Sequence, residues 1–379
     1  MNYQVLVFAA GNERGGAASH IATLAAVVRE RGLQPYFCFG FVGDGPLVDR
    51  TKSQGVTTVV FPSSPWAAVS ALRKYIKQRT QPVILHAHGP RLNVLAYLAS
   101  RSGRNQWVTT VHSNPYKDFL SSRWKTLILT RLNHWCVAHS DGVFVVHPMF
   151  GEFFPTSRVL YVPNGISLKP LERDKSAYRL ALRRQLNLPE GTPLLGIAAR
   201  FDPVKDIGTI IRAVPKMRTA NAHLVVAGDG EQRQPLEQLV DELGVRDRVH
   251  FLGFIDNVLE FYAALDIHVL ASHSEGTPFS VLEAGWLGVP NIGTSIPGLT
   301  RLLLDGETGR CFPVGDATAL AEVADDLFEH PDIAQRLARA FAERIIPEYT
   351  PEKMLQAYLD GYEQVLGAQR HLAKEREMI

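Results

Sequence analysis

Short apolar, β-branched runs alternate with helix-forming stretches along almost the whole chain, and this rhythm limits the possible folds more than any other feature. In the first half the runs fall at 4–9, 34–41, 56–61, 83–86, 107–111, 142–147 and 158–162. Each is strand-length and bounded by turn residues. Helical segments, such as 17–31, 92–102 and 122–138, lie between them. Strands joined through helices run parallel, so the pattern predicts a doubly wound α/β sheet. The stretch Val162-Pro-Asn-Gly-Ile-Ser-Leu-Lys-Pro170 interrupts the rhythm with turn residues and reads as an interdomain linker. A second series follows, with strands expected at 193–199, 222–227, 249–252, 266–270, 291–293 and 310–313 and helices at 207–217, 233–243 and 317–329. A chain of 379 residues exceeds what one core normally supports. Two domains are expected, at 1–163 and 164–350, followed by a helix at 351–370 that turns polar toward its end.

Composition narrows the class. Hydrophobic residues make up 46% and charged residues 21%, as in a water-soluble enzyme. No apolar run reaches the length of a membrane-spanning helix, and the amino terminus runs directly into a strand without a basic leader. A cytoplasmic location is expected. Cys38, Cys136 and Cys311 are far apart, odd in number and without metal-ligand spacing, so they read as buried reduced thiols. Low-complexity tracts, short-period repeats and zinc-finger, helix-turn-helix or RNA-binding signatures are lacking, so nucleic acid is not an expected partner.

The charge is divided unevenly. Residues 1–163 hold 17 Lys and Arg against 7 Asp and Glu, whereas 164–379 hold 23 against 31. A basic first half suits an anionic partner. The segments 64–79 and 116–132 mix Trp, Phe and Leu with Arg and Lys at helical spacing, a pattern suited to peripheral contact with an anionic membrane on its inner face. The alternative is that both helices simply cover the sheet.

The chemistry concentrates in Ser274-Glu-Gly-Thr-Pro-Phe-Ser-Val-Leu-Glu283-Ala-Gly-Trp-Leu-Gly-Val-Pro290. It follows the strand expected at 266–270, which puts Glu275 at the carboxyl edge of a parallel sheet, where open α/β folds bind ligands. After Pro278 a helix opens, and the amides around Phe279, Ser280 and Val281 suit an anion. Glu283 lies one turn further along the same face. Carboxylates flanking a phosphate site imply a ligand that carries both phosphate and hydroxyls, such as a nucleotide sugar. Arg200 and Lys205 end the first strand of the second domain, near a helix start, where cations are favourable only beside an anionic ligand. Gly11-Asn-Glu-Arg-Gly15-Gly16 follows the first strand and could let backbone approach a phosphate. It lacks both the dinucleotide fingerprint and a Walker lysine. His112 ends the strand at 107–111, where it could donate a hydrogen bond or move a proton. His86 and His88 form an H-x-H pair without a neighbouring carboxylate, a poor metal site.

The glutamate stretch resembles the E-x7-E signature of the retaining glycosyltransferases called family four. Its usual form, E-G-x-P-x-x-x-x-E-A followed by a G-x-P turn, is matched at every fixed position. The resemblance implies a GT-B fold, in which two Rossmann-like domains face an interdomain cleft. The first domain would serve the acceptor and the second the nucleotide sugar, and the final helix would pack back on the first. Arg200 and Lys205 resemble the R-x4-K element that holds the donor diphosphate, although Asp206 stands where the family usually has Gly. The Gly15-Gly16 loop resembles one that borders donor phosphate and acceptor. Thr109-Thr-Val-His112 resembles the T-x-H element beside the transferred sugar, with Ser113 in place of a frequent Asp. Gly228 and Phe254 lie in stretches similar to those walling the nucleotide, and the linker matches except that Ser167 replaces a common Asp.

By the same likeness, Glu275 would position the donor sugar or stabilise positive charge, and Glu283 would bind the ribose. The implied reaction is transfer of a sugar, with UDP the expected carrier and GDP or ADP open, to a lipid-linked or saccharide acceptor in envelope or exopolysaccharide synthesis. Neither a cofactor nor a metal is expected. A nucleotide-sugar epimerase of the same architecture and a non-catalytic nucleotide-sugar-binding subunit are the alternatives, and a dehydrogenase is disfavoured by the missing fingerprint.

Overall fold

The apolar runs form two wholly parallel sheets in a computed structural model that describes residues 1–13, 15–100, 105–113, 123–155, 157–166 and 170–377. The first sheet comprises β1 (Gln4–Ala10), β2 (Phe37–Val42), β3 (Thr58–Phe61), β4 (Val83–His88), β5 (Gln106–Val111), β6 (Gly142–Val145) and β7 (Val159–Tyr161), in the order β3-β2-β1-β4-β5-β6-β7. The second comprises β8 (Leu194–Ala198), β9 (His223–Ala227), β10 (Val249–Gly253), β11 (Ile267–Leu270), β12 (Asn291–Thr294) and β13 (Arg310–Phe312), in the order β10-β9-β8-β11-β12-β13. In both, the strand order reverses beside the first strand, between β1 and β4 and between β8 and β11. Such switch points leave a crevice beyond the carboxyl ends of the strands.

The chain divides into two compact units, Met1–Ser167 with Thr350–Ile379, and Leu168–Tyr349. Every residue of β2, β4 and β5 is buried, which explains why these strands read as continuous apolar runs without alternation. Alternate side chains still sort by face. Val5, Val7 and Ala9 pack with the helices Gly16–Glu30 and Pro351–Glu377. Leu6 and Phe8 pack with Pro65–Lys77 and Pro90–Ser100 on the other side. The last helix contributes Met354, Leu355, Tyr358, Tyr362 and Val365 to the core of the first unit.

Several expected bounds move for local reasons. β2 begins at Phe37 and not at 34, after a turn containing Pro35, which has no N–H to give a ladder. The helix expected at 207–217 ends at Ala213, because Pro215 lacks an amide and continues as the short turn Val214–Lys216. The strand expected at 142–147 stops at Val145 ahead of the turn Pro148–Phe153. The last helix runs to Glu377, and helices Pro46–Ser53, Lys175–Gln185, Val258–Ala264 and Pro331–Arg344 add to those expected. Cys38 and Cys136 are buried thiols, but Cys311 is only half-buried, a correction that follows from its place on the edge strand β13.

The basic amphipathic segment at 64–79 forms the helix Pro65–Lys77, and its apolar side, Ala68, Val69, Leu72 and Ile76, is turned into the core. Trp66 alone of its large apolar residues stays well exposed. Of the segment 116–132, residues 116–122 lie outside the described residues, as do Ser167 of the linker and Asn114 and Pro115 after His112. Among the described residues, no helix is long and apolar enough to cross a membrane.

Candidate functional site

At the switch point of the second sheet, the loops leaving β8 and β11 run side by side because their strands are hydrogen-bonded neighbours. The His273 amide donates to the Val204 carbonyl at 2.8 Å and ties the loops together. Across that tie Lys205 Nζ donates to Glu275 Oε1 at 2.6 Å, and Ser272 Oγ donates to the same oxygen at 2.6 Å. The Lys205 and Glu275 side chains are 24% and 12% exposed, so the pair is partly shielded from water yet reachable. Lys205 keeps further N–H donors and Glu275 keeps Oε2. Thr294, at the end of β12, donates to the Ser272 carbonyl at 2.6 Å and fixes the start of the Glu275 loop.

Arg200 stands in the same loop, 79% exposed, with its guanidinium on Asp202 at 2.6 Å. Asp206 has a left-handed backbone, φ +43°, and caps the helix Ile207–Ala213 through the Thr209 amide and hydroxyl. Glycine enters that conformation most freely, and Asp is among the few other residues that accept it. The departure from the family pattern therefore leaves the turn intact.

Gly228 brings the loop after β9 against the one after β8. Its φ is +121°, and a Cβ there would lie 1.9 Å from the Ala199 carbonyl oxygen. The Gly228 amide donates to Gly253 at 2.7 Å, so the end of β10 joins the same group, with the Phe254 ring 80% exposed beside it. Pro278 caps the helix Phe279–Trp286. The first-turn amides of Phe279, Ser280 and Val281 have no acceptor within the helix. Glu283 follows on this helix, half-buried. The second unit thus gathers Arg200, Lys205, Gly228, Phe254, Glu275, Pro278, Phe279, Ser280, Val281 and Glu283 around one sheet edge.

Supporting residues escaped the sequence reading. Tyr262, fully buried, hydrogen-bonds Ser280; burial first, then the nearby Glu283 carboxylate, push its hydroxyl well above the usual range. Asn291 donates to the Val281 carbonyl at 3.2 Å and accepts from the buried His268 ring at 2.7 Å. The polar ends of Ser272, Thr294 and Asn291 at strand termini were the available signal.

The first unit gathers its own candidates. Gly15, with φ +72°, precedes the helix Gly16–Glu30, and Arg14 of the same loop lies outside the described residues. On that helix His20 stands 5.0 Å, ring to ring, from His112 at the end of β5. His112 Nε2 lies 2.9 Å from His88 Nδ1. His86 bonds Tyr362 at 2.6 Å and Thr110 at 2.7 Å, so the H-x-H pair belongs to a buried side-chain network. Among the described residues no group of three or more His, Cys, Asp or Glu is arranged to hold a metal.

Residues 179–344 match the family model described as Glycosyl transferases group 1, and 15–165 match the Glycosyl transferase 4-like domain. The chain is 30% identical over 318 residues to N-acetyl-alpha-D-glucosaminyl L-malate synthase of Bacillus anthracis, covering 81% of both chains. It is 32% identical over 177 residues to the lipopolysaccharide core biosynthesis glycosyltransferase LpsE of Rhizobium meliloti (strain 1021), covering 47% of this chain and 52% of that one. The fold matches the structure of Anabaena HepE in complex with UDP-glucose at a TM-score of 0.82 with 18% identity, covering 96% of this chain and all of the other. The fold is GT-B.

Proposed function

Since the chain belongs to the group 1 glycosyltransferases, we propose that it transfers a sugar from a UDP-sugar, with retention of configuration, to a lipid-linked or saccharide acceptor in cell-envelope or exopolysaccharide synthesis. The observation that carries this reading is the 2.6 Å contact between Lys205 and Glu275 at the β8–β11 switch point, beside the open amides of Phe279–Trp286.

As the bond from the anomeric carbon to the donor phosphate breaks, its electron pair stays on the diphosphate oxygen. Arg200, Lys205 and the amides of Ser280 and Val281 stabilise that growing charge. Glu275 Oε2 accepts from a sugar hydroxyl or offsets positive charge at the anomeric carbon, while Glu283 accepts from the ribose. Phe254 and Gly228 wall the nucleotide. By the family likeness, Gly15, Gly16 and His112 serve the transferred sugar and the acceptor, whose hydroxyl oxygen forms the new bond to the anomeric carbon as its proton passes to the departing diphosphate oxygen. The chemistry needs no metal where two cations and a helix start face the phosphates.

UDP as carrier is supported by the likeness to HepE, described with UDP-glucose. An envelope acceptor is supported by the likeness to LpsE and by the basic residues of 1–163. The same basic character supports cytoplasmic action at the inner membrane face.

A thermal-shift screen of UDP-, GDP- and ADP-sugars tests the donor. A ligand at 100 times its Kd adds about 2.7 kcal/mol to stability, so one UDP-sugar should raise Tm by several degrees. Stabilisation by GDP- or ADP-sugars alone would overturn the UDP reading.

A further inference from the structure

Four histidines of the first unit, His20, His86, His88 and His112, cluster at the carboxyl ends of β4 and β5 beside the helix Gly16–Glu30, with ring centroids 4.3 to 6.1 Å apart for the pairs in contact. The transfer reaction as read above uses only His112. The others are fully buried and polar, which calls for a full accounting of their protons.

Most of that accounting closes on the last helix. His20 Nδ1 lies 2.7 Å from Asn164 Oδ1, and an amide oxygen only accepts, so His20 carries its proton on Nδ1. His20 Nε2 then accepts from the Tyr358 hydroxyl at 2.7 Å. Tyr358 in turn accepts from Thr110 at 2.8 Å, and Thr110 accepts from His86 Nε2 at 2.7 Å. His86 Nδ1 accepts from Tyr362 at 2.6 Å. Each proton points one way, and both rings hold a single tautomer.

His88 and His112 form a separate pair, Nδ1 to Nε2, at 2.9 Å. Burial first, and then the neighbouring imidazoles, push both rings well below the usual histidine range, so both are neutral and one proton lies between them. If His112 donated it, the proton of His88 would sit on Nε2, which is buried without a partner among the described residues. A buried N–H without an acceptor is the rarer and costlier orphan. If His88 donates from Nδ1, its Nε2 is left as a lone pair only. His112 then accepts at Nε2 and carries its own proton on Nδ1.

We infer that His88 is a positioning residue that holds His112 in the Nδ1–H tautomer, so that His112 meets its ligand as a hydrogen-bond donor and has no free lone pair to act as a base. This rests on the reading that His112 serves the transfer reaction. The tautomer itself can be measured without any substrate.

Long-range 1H–15N correlation spectra of the 15N-histidine-labelled full chain test it, with the His112 signals assigned from His112→Ala. The wild type should show His112 protonated at Nδ1. His88→Asn, whose amide N–H replaces Nδ1–H, should keep that pattern, and His88→Leu should convert His112 to a mixture. UDP release from UDP-glucose should fall about tenfold in kcat for His88→Leu, with KM little changed, and be restored within about twofold by His88→Asn. Protonation of His112 at Nε2 in the wild type overturns the inference, as does a His88→Leu variant with the wild-type tautomer. Wild-type turnover by His112→Ala, alongside an Nδ1–H tautomer in the unsubstituted protein, instead removes the functional reading of His112 and leaves the pairing standing.

Discussion

Lys205 has three N–H donors and gives one to Glu275, whose second oxygen remains open. Interactions aimed at charge that develops in the transition state are worth about 10²–10³ in rate each. Lys205→Ala and Glu275→Ala should therefore each lower kcat for transfer at least about 100-fold. The sheet edge is held separately by Ser272, Thr294 and the His273 amide, so circular dichroism should remain that of the wild type. Turnover by either variant at the wild-type rate would remove the assignment. Both residues were legible in the sequence because each lies in a fixed motif. What the motif could not tell was that these residues, 70 apart in sequence, touch, since that depends on β8 and β11 being sheet neighbours. Asp206 shows the opposite limit: it looked like a weakened motif, and its φ of +43° and its cap on Thr209 show a turn that Asp also satisfies.

Among the elements, strands were easier to read than the partners of helices. Strands buried on both faces announce themselves as apolar runs, whereas an amphipathic helix shows an apolar side without saying what covers it. The helix Pro65–Lys77 spends that side on the sheet. Helix Arg123–Ala138 presents Ile128, Leu132 and Trp135, spaced by four and three residues, at 64%, 39% and 48% exposure, with exposed Arg131 alongside. An apolar stripe beside basic residues fits a lipid interface. The protein should bind vesicles containing phosphatidylglycerol, less at high salt, and Ile128→Ser with Trp135→Ser should weaken that binding about tenfold or more. Equal binding to neutral and anionic vesicles would remove the electrostatic part. Tyr358 and Tyr362 were invisible for a similar reason: their partners His20 and His86 lie 338 and 276 residues away.

For the molecule as a whole, buried neutral histidines couple folding to pH. An unfolded histidine takes up a proton at about pH 6.5, whereas burial lowers folded His20 to about 4. Within that window the unfolded chain binds more protons, so stability is complete above it and lost as pH falls. Each such group contributes a slope of about 1.4 kcal/mol per pH unit. The first unit holds His20, His86, His88 and His112, all lowered by burial, and the second holds His268, lowered to about 4, with the half-exposed pair His223 and His250 lowered less. Acidification from pH 6.5 toward 4 should unfold the first unit before the second. Four of the five tryptophans lie within residues 1–167, so fluorescence should change before half of the helical dichroism is lost. Coincident transitions would show that the histidines do not set the acid limit.

The last helix has a consequence for how the protein is made. Met354, Leu355, Tyr358, Tyr362 and Val365 complete a core begun by Tyr3, Val5 and Val7. During synthesis that core waits while Leu168–Tyr349 emerges from the ribosome, about ten seconds or more at ordinary elongation rates. The second unit, contiguous in sequence, can finish first. The nascent first unit must meanwhile keep an apolar face and the unsatisfied imidazoles of His20 and His86 without their tyrosines. Until the last helix is made, the nascent first unit therefore holds open apolar surface of the kind that chaperones shield.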